Sequence, residues 1–233
     1  MLNRWLLTAL LFSSMLQTDV DMNHKPIITV GSGLGCHYPP DRLNQAIKEH
    51  NTIYLTTESV YPPIQINHPK LTLIGGLTDC GDWKQVRNHS QKSIISGFHL
   101  YRPVTINPHE SESAVTTDIK LKNLHIINGH ADSGGGLHIT GPAHVSLQDT
   151  VIEHNTASYR GGGMALTGPH VELQIINSLV QFNRAERLGG GISCEGEHRI
   201  KIDHEQQIKA NQAPLAENYL LDQACFIKIN QAD

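Results

Sequence analysis

Three glycine triplets recur at a nearly fixed interval in the second half of the chain. They begin at Gly134, Gly161 and Gly189, with intervals of 27 and 28 residues. An asparagine lies six residues before each triplet, at Asn128, Asn155 and Asn183. A fixed period of this length is the sequence signature of a stacked-repeat architecture.

Each repeat contains three short apolar segments separated by Gly, Pro, Asn or Asp. Segments of about three to five residues are too short for helices and predict strands. A repeat of this size with three strands predicts one coil of a parallel β-helix, in which successive coils pair about 4.8 Å apart. We therefore expect an all-β, single-stranded, right-handed parallel β-helix of about six coils, because parallel crossovers are almost always right-handed.

The glycines and asparagines suit the corners of such coils. Glycine adopts left-handed backbone conformations without penalty, and asparagine is the next best residue there. Stacked asparagines can also hydrogen-bond along a column. We expect Asn128, Asn155 and Asn183 to form one column and the glycine triplets another. The β-helix is predicted to end near Asn211, because no triplet follows that asparagine.

The repeats resemble the polymorphic outer-membrane repeats of autotransporter passenger proteins over about residues 120–212. That family carries a GGA-[ILV] element, which is similar to each triplet here with its following apolar residue. It also carries F-x-x-N, which here has an aliphatic first residue: Ile152-x-x-Asn155, Val180-x-x-Asn183 and Ile208-x-x-Asn211. The resemblance implies the β-helix fold and an adhesin-like role.

The segment before the repeats resembles the entry of exported β-helix proteins of the pectate-lyase-like superfamily. Its order is Cys36, a short helix, a strand, the string LTLIGG and Cys80. Asp41 is a candidate N-cap for a helix over DRLNQAIKEH, because Asp side chains accept hydrogen bonds from free backbone N–H groups. The apolar face of that helix would be Leu43, Ala46 and Ile47.

The ends of the chain differ from the repeat region. Residues 1–18 contain Arg4 and then a short apolar run, which is typical of a signal peptide and too short for a spanning helix. We expect an N-terminal cap over 26–50, the β-helix over 51–212 and a C-terminal cap or tail over 213–233. The protein would then be secreted, periplasmic or on the cell surface, with no membrane span after signal removal.

Four cysteines in an exported chain are expected to pair. Three connectivities exist for four cysteines. We favour Cys36–Cys80 and Cys194–Cys225, since each pair would fasten one end of a solenoid, where stacking is weakest.

The segments between each asparagine and its triplet are GHADS, TASYR and RAERL, which we interpret as loops. Stacking would align them into a polar strip with one aromatic residue, comprising Asp132, Tyr159, Arg160, Arg184, Glu186 and Arg187. Tyrosine and arginine together can stack on and hydrogen-bond a sugar or a partner protein. Ordinary solvated loops have the same composition, so both interpretations stay open.

The histidines offer one weak candidate for a metal site. His144 and His170, in TGPAHV and TGPHV, should stack within about 5 Å, which is compatible with a shared metal ion. No third ligand is evident in the sequence, so a surface ladder is the simpler interpretation. We expect no cofactor.

The chain also contains fragments of enzyme motifs. The string Arg199-Ile200-Lys201 occurs in pectin hydrolases, but the aspartate pair and G-H-G of those enzymes do not accompany it. The GSGLG at 31–35 is incomplete as a dinucleotide loop because Cys36 stands where a glycine is needed. Asn123, Asp149 and Asn177 match one another between repeats and predict a corner column rather than a catalytic acid cluster.

Composition narrows the functional classes. A net charge of −4 with scattered Lys and Arg provides no basic stripe for nucleic acid. We expect a noncatalytic binding module for polysaccharide or a surface protein. A polysaccharide lyase or glycosidase is the alternative, because many exported β-helix proteins are such enzymes, and a structural spacer is the third. Fold alone does not choose among them.

Overall fold

The computed structural model describes residues 27–81, 91–108 and 117–229. The predicted signal peptide lies outside these residues.

Within these ranges the chain forms a succession of short strands with one α-helix near residue 43. The first elements are β1 (Ile28–Val30), a 3₁₀ turn (Pro40–Arg42), α1 (Leu43–Glu49), β2 (Thr52–Thr56), β3 (Val60–Tyr61), β4 (Ile64–Ile66), β5 (Lys70–Leu77), β6 (Ser93–Ser96) and β7 (Val104–Ile106). The repeat region follows, with β8 (Thr117–Lys122), β9 (Leu124–Ile127), β10 (His130–Ser133), β11 (Leu137–Ile139), β12 (Ala143–Gln148), β13 (Val151–Glu153), β14 (Thr156–Arg160), β15 (Met164–Leu166), β16 (Val171–Ile176), β17 (Leu179–Gln181) and β18 (Arg184–Ala185). The last elements are β19 (Ile192–Cys194), β20 (His198–Ile202), a 3₁₀ turn (Glu205–Gln207), β21 (Ile208–Lys209), β22 (Tyr219–Leu221) and β23 (Cys225–Ile229).

The strands stack into four parallel sheets. Sheet 1 has the order β1-β2-β5-β8-β12-β16-β20-β23, and sheet 2 has the order β3-β6-β9-β13-β17-β21. Sheet 3 is β10-β14-β18, and sheet 4 is β22-β19-β15-β11-β7-β4. The parallel β-helix is thus confirmed, with about seven turns instead of six. The difference arises because β1, β22 and β23 lie in stretches expected to be caps and yet stack on their neighbours.

Aliphatic columns fill the interior, because alternate residues of each sheet 1 strand point inward. One column crosses six successive turns: Leu71, Ile119, Val145, Leu173, Ile200 and Ile227. Each fully buried side chain of this kind stabilises the fold by about 1.5–3 kcal/mol relative to exposure. The hydrophobic core is therefore built from side chains that stack from one turn to the next along the solenoid.

An amide ladder occupies the buried corner after sheet 2. The Asn155 side chain donates to Asn183 Oδ1 at 3.0 Å, and the Asn183 side chain donates to Asn211 Oδ1 at 3.0 Å. Each Oδ1 also accepts the backbone N–H of the preceding turn, and Gly129 N–H donates in this way to Asn155 at 2.7 Å. Gly129 therefore occupies the asparagine position of its own turn.

The prediction that Asn128 belongs to this ladder is wrong by one residue. It stands instead in the adjacent column of left-handed residues, with φ values of 54°, 55°, 52° and 53° for Asn128, His154, Phe182 and Ala210. A β-bulge in β14 compensates for this shift, so that the spacing from asparagine to triplet is the same in each repeat. The residue offset between β10 and β14 is 26 at Ala131–Ala157 and 27 at Ser133–Arg160, so β14 contains one extra residue before its triplet.

The glycine triplets form a column, as predicted. Successive triplets are joined by backbone hydrogen bonds, and Gly134, Gly161 and Gly189 have φ values of 63°, 63° and 59°. A Cβ on Gly162 would lie 2.4 Å from the Arg184 backbone, so the turns approach too closely there for any side chain. The segments before the first two triplets were expected to be loops and are in fact the strands β10 and β14 of sheet 3, whereas only Arg184–Ala185 of the third segment joins this sheet, as β18.

The ends are fastened as expected. Disulfides join Cys36 to Cys80 and Cys194 to Cys225, and α1 buries Leu43, Ala46 and Ile47. Asp41 is not the helix cap: the N-cap position of α1 is Arg42, with no side-chain hydrogen bond there. The short 3₁₀ turn places Asp41 one residue too early for that role.

Candidate functional site

The six predicted strip residues lie on sheet 3 and on the connections from sheet 3 to sheet 4. Sheet 3 turns its small side chains inward, since Ala157 and Ala185 are buried. The structure divides the six residues into an acidic part and a basic part. Asp132 accepts a hydrogen bond from Ser158 at 2.8 Å, and Glu186 follows Ala185 on the exposed side of the same sheet.

The basic part is built around Tyr159. The guanidinium carbon atoms of Arg160 and Arg187 lie 5.5 and 5.7 Å from the centre of its ring, within cation–π range. The Tyr159 side chain is 41% exposed, so this cluster faces solvent. Arg184 is exposed on β18 but has no contact of this kind with the ring. Tyr159, Arg160 and Arg187 of the predicted strip therefore form one cluster, and a ligand-binding role for it stays a prediction.

Arg160 has a second role on the outer face of sheet 4. Its side chain is only 23% exposed and forms an ion pair with Glu195. Its Nε is buried and has no hydrogen-bond partner among the described residues. Arg160 is therefore held against the sheet, while Arg187 is exposed beside Tyr159.

A second arginine lies on the same outer face, two strands away. Arg102 donates from Nη2 to Ser133 O at 2.7 Å and from Nε to Gly134 O at 2.8 Å. Its Nη1 donates to Thr105 Oγ1 at 3.3 Å. Burial lowers the pKa of Arg102, while the negative charge of Asp132 acts in the opposite direction.

His138 lies on β11 between these two arginines. Burial, and then the charges of Arg102 and Arg160, lower the pKa of His138 to about 4. Its Nε2 is 2.9 Å from Thr167 Oγ1. The imidazole is therefore neutral at ordinary pH and adds no positive charge between Arg102 and Arg160.

Sequence reasoning missed Arg102 and His138. Arg102 precedes β7, in a turn without a glycine triplet, so the repeat register could not place it beside the strip. His138 stands in the middle of a three-residue strand, where alternation predicts an outward side chain but not its neighbours.

A cleft of about 750 Å³ continues this outer face toward the N-terminus. It lies between α1 and the segment at Tyr101–Arg102. Its lining comprises Asn44, Ile47, Lys48, Pro63, Ile64, Gln65, Asn67, His68, Pro69, Tyr101, Arg102 and Thr105. The cleft, the arginines and Tyr159 thus lie along one side of the β-helix.

The proposed stacking of His144 on His170 is wrong. His144 pairs in register with Glu172, and its Nδ1 lies 3.4 Å from a Glu172 carboxylate oxygen. His170 is the extra residue of its connection, with a φ of 49°, and lies beside Glu197. Among the described residues, no group of three or more His, Cys, Asp and Glu could hold a metal ion.

The other residues of the sequence motifs have structural roles in the turns of the β-helix. Asn123, Asp149 and Asn177 all have left-handed backbones, and the Asn177 side chain donates to Asp149, which confirms the corner column. Arg199 of the R-I-K string points outward from β20 and pairs with Glu172 at 3.4 Å.

No protein-family model, curated protein or solved structure matches this chain. None of the helices in the described ranges has the length and apolarity needed to cross a membrane. The class that the structure defines is a parallel β-solenoid with two disulfides. The two disulfides are compatible with an extracellular or periplasmic location.

Proposed function

We propose that this protein is an exported, noncatalytic binding module whose ligand is a polysaccharide lying along the outer face of sheet 4 and the adjoining edge of sheet 3. The observation that supports this most is the exposed Tyr159 ring with two guanidinium groups beside it. An aromatic ring with adjacent hydrogen-bond donors suits a sugar, whose ring has an apolar face and a rim of hydroxyl groups.

The arrangement also suits a polymer because the polar groups extend along the solenoid axis. Arg102 precedes β7 and Arg160 precedes β15, with only β11 between those strands in sheet 4. Parallel strands are spaced by about 4.8 Å, so the two strands are separated by about 10 Å along the axis. The guanidinium groups of Arg102 and Arg160 are already fixed by protein contacts, which reduces the entropy lost on binding.

An extracytoplasmic location supports the proposal. The signal-like N-terminus, the two disulfides and the resemblance to autotransporter passenger repeats all favour a surface or secreted protein. Polysaccharides are abundant in those compartments, and a surface protein would be the other ligand to test.

The experiment is a panel of immobilised polysaccharides assayed for both retention and cleavage by the pure protein. We expect retention on at least one polysaccharide without release of reducing ends or unsaturated sugars. A double variant, Tyr159→Ala with Arg187→Ala, should weaken that retention by about tenfold or more, as truncation of aromatic and arginine anchors commonly does. Arg160 is left intact because its removal would leave Glu195 unpaired.

A matched control exists on sheet 1. Arg199 and Phe226 are register neighbours on β20 and β23, and both are exposed. The variant Arg199→Ala with Phe226→Ala removes the same kinds of group from another face and should retain full binding. Equal loss in both double variants would refute the assignment of the surface, and cleavage of the polysaccharide would refute the noncatalytic role.

A further inference from the structure

The cleft beside α1 is positively charged although the whole protein is acidic. Its lining includes Lys48 and Arg102, and none of its lining residues is Asp or Glu. The chain as a whole carries a formal charge of −4. The charge of the cleft is therefore a local feature and not a reflection of the composition.

The nearest carboxylate on α1 is engaged elsewhere. Glu49 accepts hydrogen bonds from Tyr38 Oη at 2.5 Å and from Gln45 Nε2 at 3.0 Å. These hydrogen bonds lower the pKa of Glu49, and the one from Tyr38 has the largest effect. Glu49 therefore stays ionised and bound to Tyr38 and Gln45. Lys48, the next residue to it, is exposed in the cleft and forms no ion pair with any described carboxylate.

Arg102 is fixed before any ligand arrives. Its three contacts with Ser133, Gly134 and Thr105 use one N–H of each guanidinium nitrogen. The two terminal nitrogens each retain a second N–H. Among the described residues no carboxylate lies within ion-pair distance of Arg102, and Asp132 is held by Ser158 instead.

The remaining surfaces of the cleft are suited to a sugar ring. Tyr101 is 62% exposed at its rim, next to Arg102. The floor is formed by apolar groups of Pro63, Ile64 and Ile47. Gln65 and Asn67 are exposed amides that can donate to and accept from hydroxyl groups.

We propose that this cleft binds the anionic group of an acidic glycan, with Lys48 and Arg102 contacting a carboxylate or sulfate and Tyr101 stacking on the sugar that bears it. The inference rests on the proposed function and specifies it further: the polysaccharide along sheet 4 is an acidic one. Carboxylate and sulfate share the required charge and acceptor oxygens, and the test separates them.

The experiment measures binding of three tetrasaccharides of equal length by calorimetry: a uronic-acid oligomer, a sulfated oligomer and a neutral glucose oligomer. We expect one or both acidic oligomers to bind about tenfold or more tightly than the neutral one, with an affinity that falls as salt is added. The variant Lys48→Met with Tyr101→Ala should remove this preference. Arg102→Lys, which keeps the charge, tests the fixed guanidinium separately.

The control variant is Phe98→Ala with Lys228→Met, which removes an exposed aromatic and an exposed lysine outside the cleft. It should bind as the wild type does. Equal affinity for charged and neutral oligomers, or a cleft variant indistinguishable from this control, would overturn the inference. If the Tyr159→Ala, Arg187→Ala variant loses retention while the cleft variant does not, the proposed function stands and this inference fails.

Discussion

Replacing Asn183 by alanine would remove four side-chain hydrogen bonds from the buried corner after sheet 2. Its amide donates to Asn211 Oδ1 and to Ile152 O, and its Oδ1 accepts from both the backbone and the side chain of Asn155, at distances of 2.9–3.0 Å. The Asn155 side chain keeps its bonds to other carbonyl groups, but the Asn155 backbone N–H loses its acceptor. The substitution therefore strands a donor in a region without solvent.

The magnitude follows from these contacts. A stranded buried donor costs about 2 kcal/mol, and each of the other three bonds contributes about 0.5–1 kcal/mol. We expect Asn183→Ala to lower the free energy of unfolding by about 4 kcal/mol. The measurement is urea unfolding followed by circular dichroism, with the midpoint and slope compared between variant and wild type.

Asn128→Ala is the control, because it tests the register. In the described residues the Asn128 side chain forms no hydrogen bond, and Ala210 already occupies the same left-handed column. We expect a cost of about 1 kcal/mol or less, due to the backbone preference of asparagine over alanine. Equal costs at the two positions would refute the register, and a cost below about 1 kcal/mol at Asn183 would refute the energetic reasoning.

Two further predictions concern pH and the disulfides. The pKa of His138 is about 4 in the fold against an ordinary 6.5, so the unfolded chain binds more protons between these values and stability falls as the pH is lowered through them. His138→Gln should reduce this loss of stability by about 2 kcal/mol, after allowance for the partial exposure of the side chain. The measurement compares the free energy of unfolding in urea at pH about 7.5 and about 4.5 for the variant and the wild type. The same difference in both proteins would contradict the prediction. Replacing Cys194 and Cys225 by serine opens a crosslink with a sequence separation of 31 and should cost about 3–4 kcal/mol. A decrease below about 1 kcal/mol in the same unfolding assay would show that the last turn needs no covalent tie.

Much of the fold could be predicted because the same residues recur where turns meet. Gly162 and Gly163 lie where the backbone of the next turn leaves no room for a side chain, and Gly161 and Gly189 have left-handed backbones, so glycine is required in every repeat and the period is visible in the sequence. Asn128 was misplaced because a bulge in β14 shifts the register by one residue, and a constant spacing along the sequence cannot show where in a turn a residue is inserted. His170 was misplaced because a different extra residue lies in the connection from β15 to β16.

The candidate site was predictable only where it lies in the repeats. Tyr159 and Arg187 could be aligned because their turns share a glycine triplet. Arg102 and Lys48 come from the irregular first turns, and their proximity to sheet 4 depends on where α1 and the segment before β7 pack. That packing depends on contacts between residues far apart in the sequence, and a repeat period gives no information about them.

The junctions of the amide ladder are chemically interchangeable. The backbone N–H groups of Gly129, Asn155 and Asn183 each donate to an asparagine Oδ1 in the following turn, at 2.7–3.0 Å. Excision of residues 156–183 would therefore bring Asn155 against Asn211 and recreate the junction that was lost. The amide ladder can therefore gain or lose a turn without a change in its own hydrogen bonds, and each turn changes the length by about 4.8 Å. If the proposed polysaccharide lies along this side, the number of turns determines how many sugars the protein can contact.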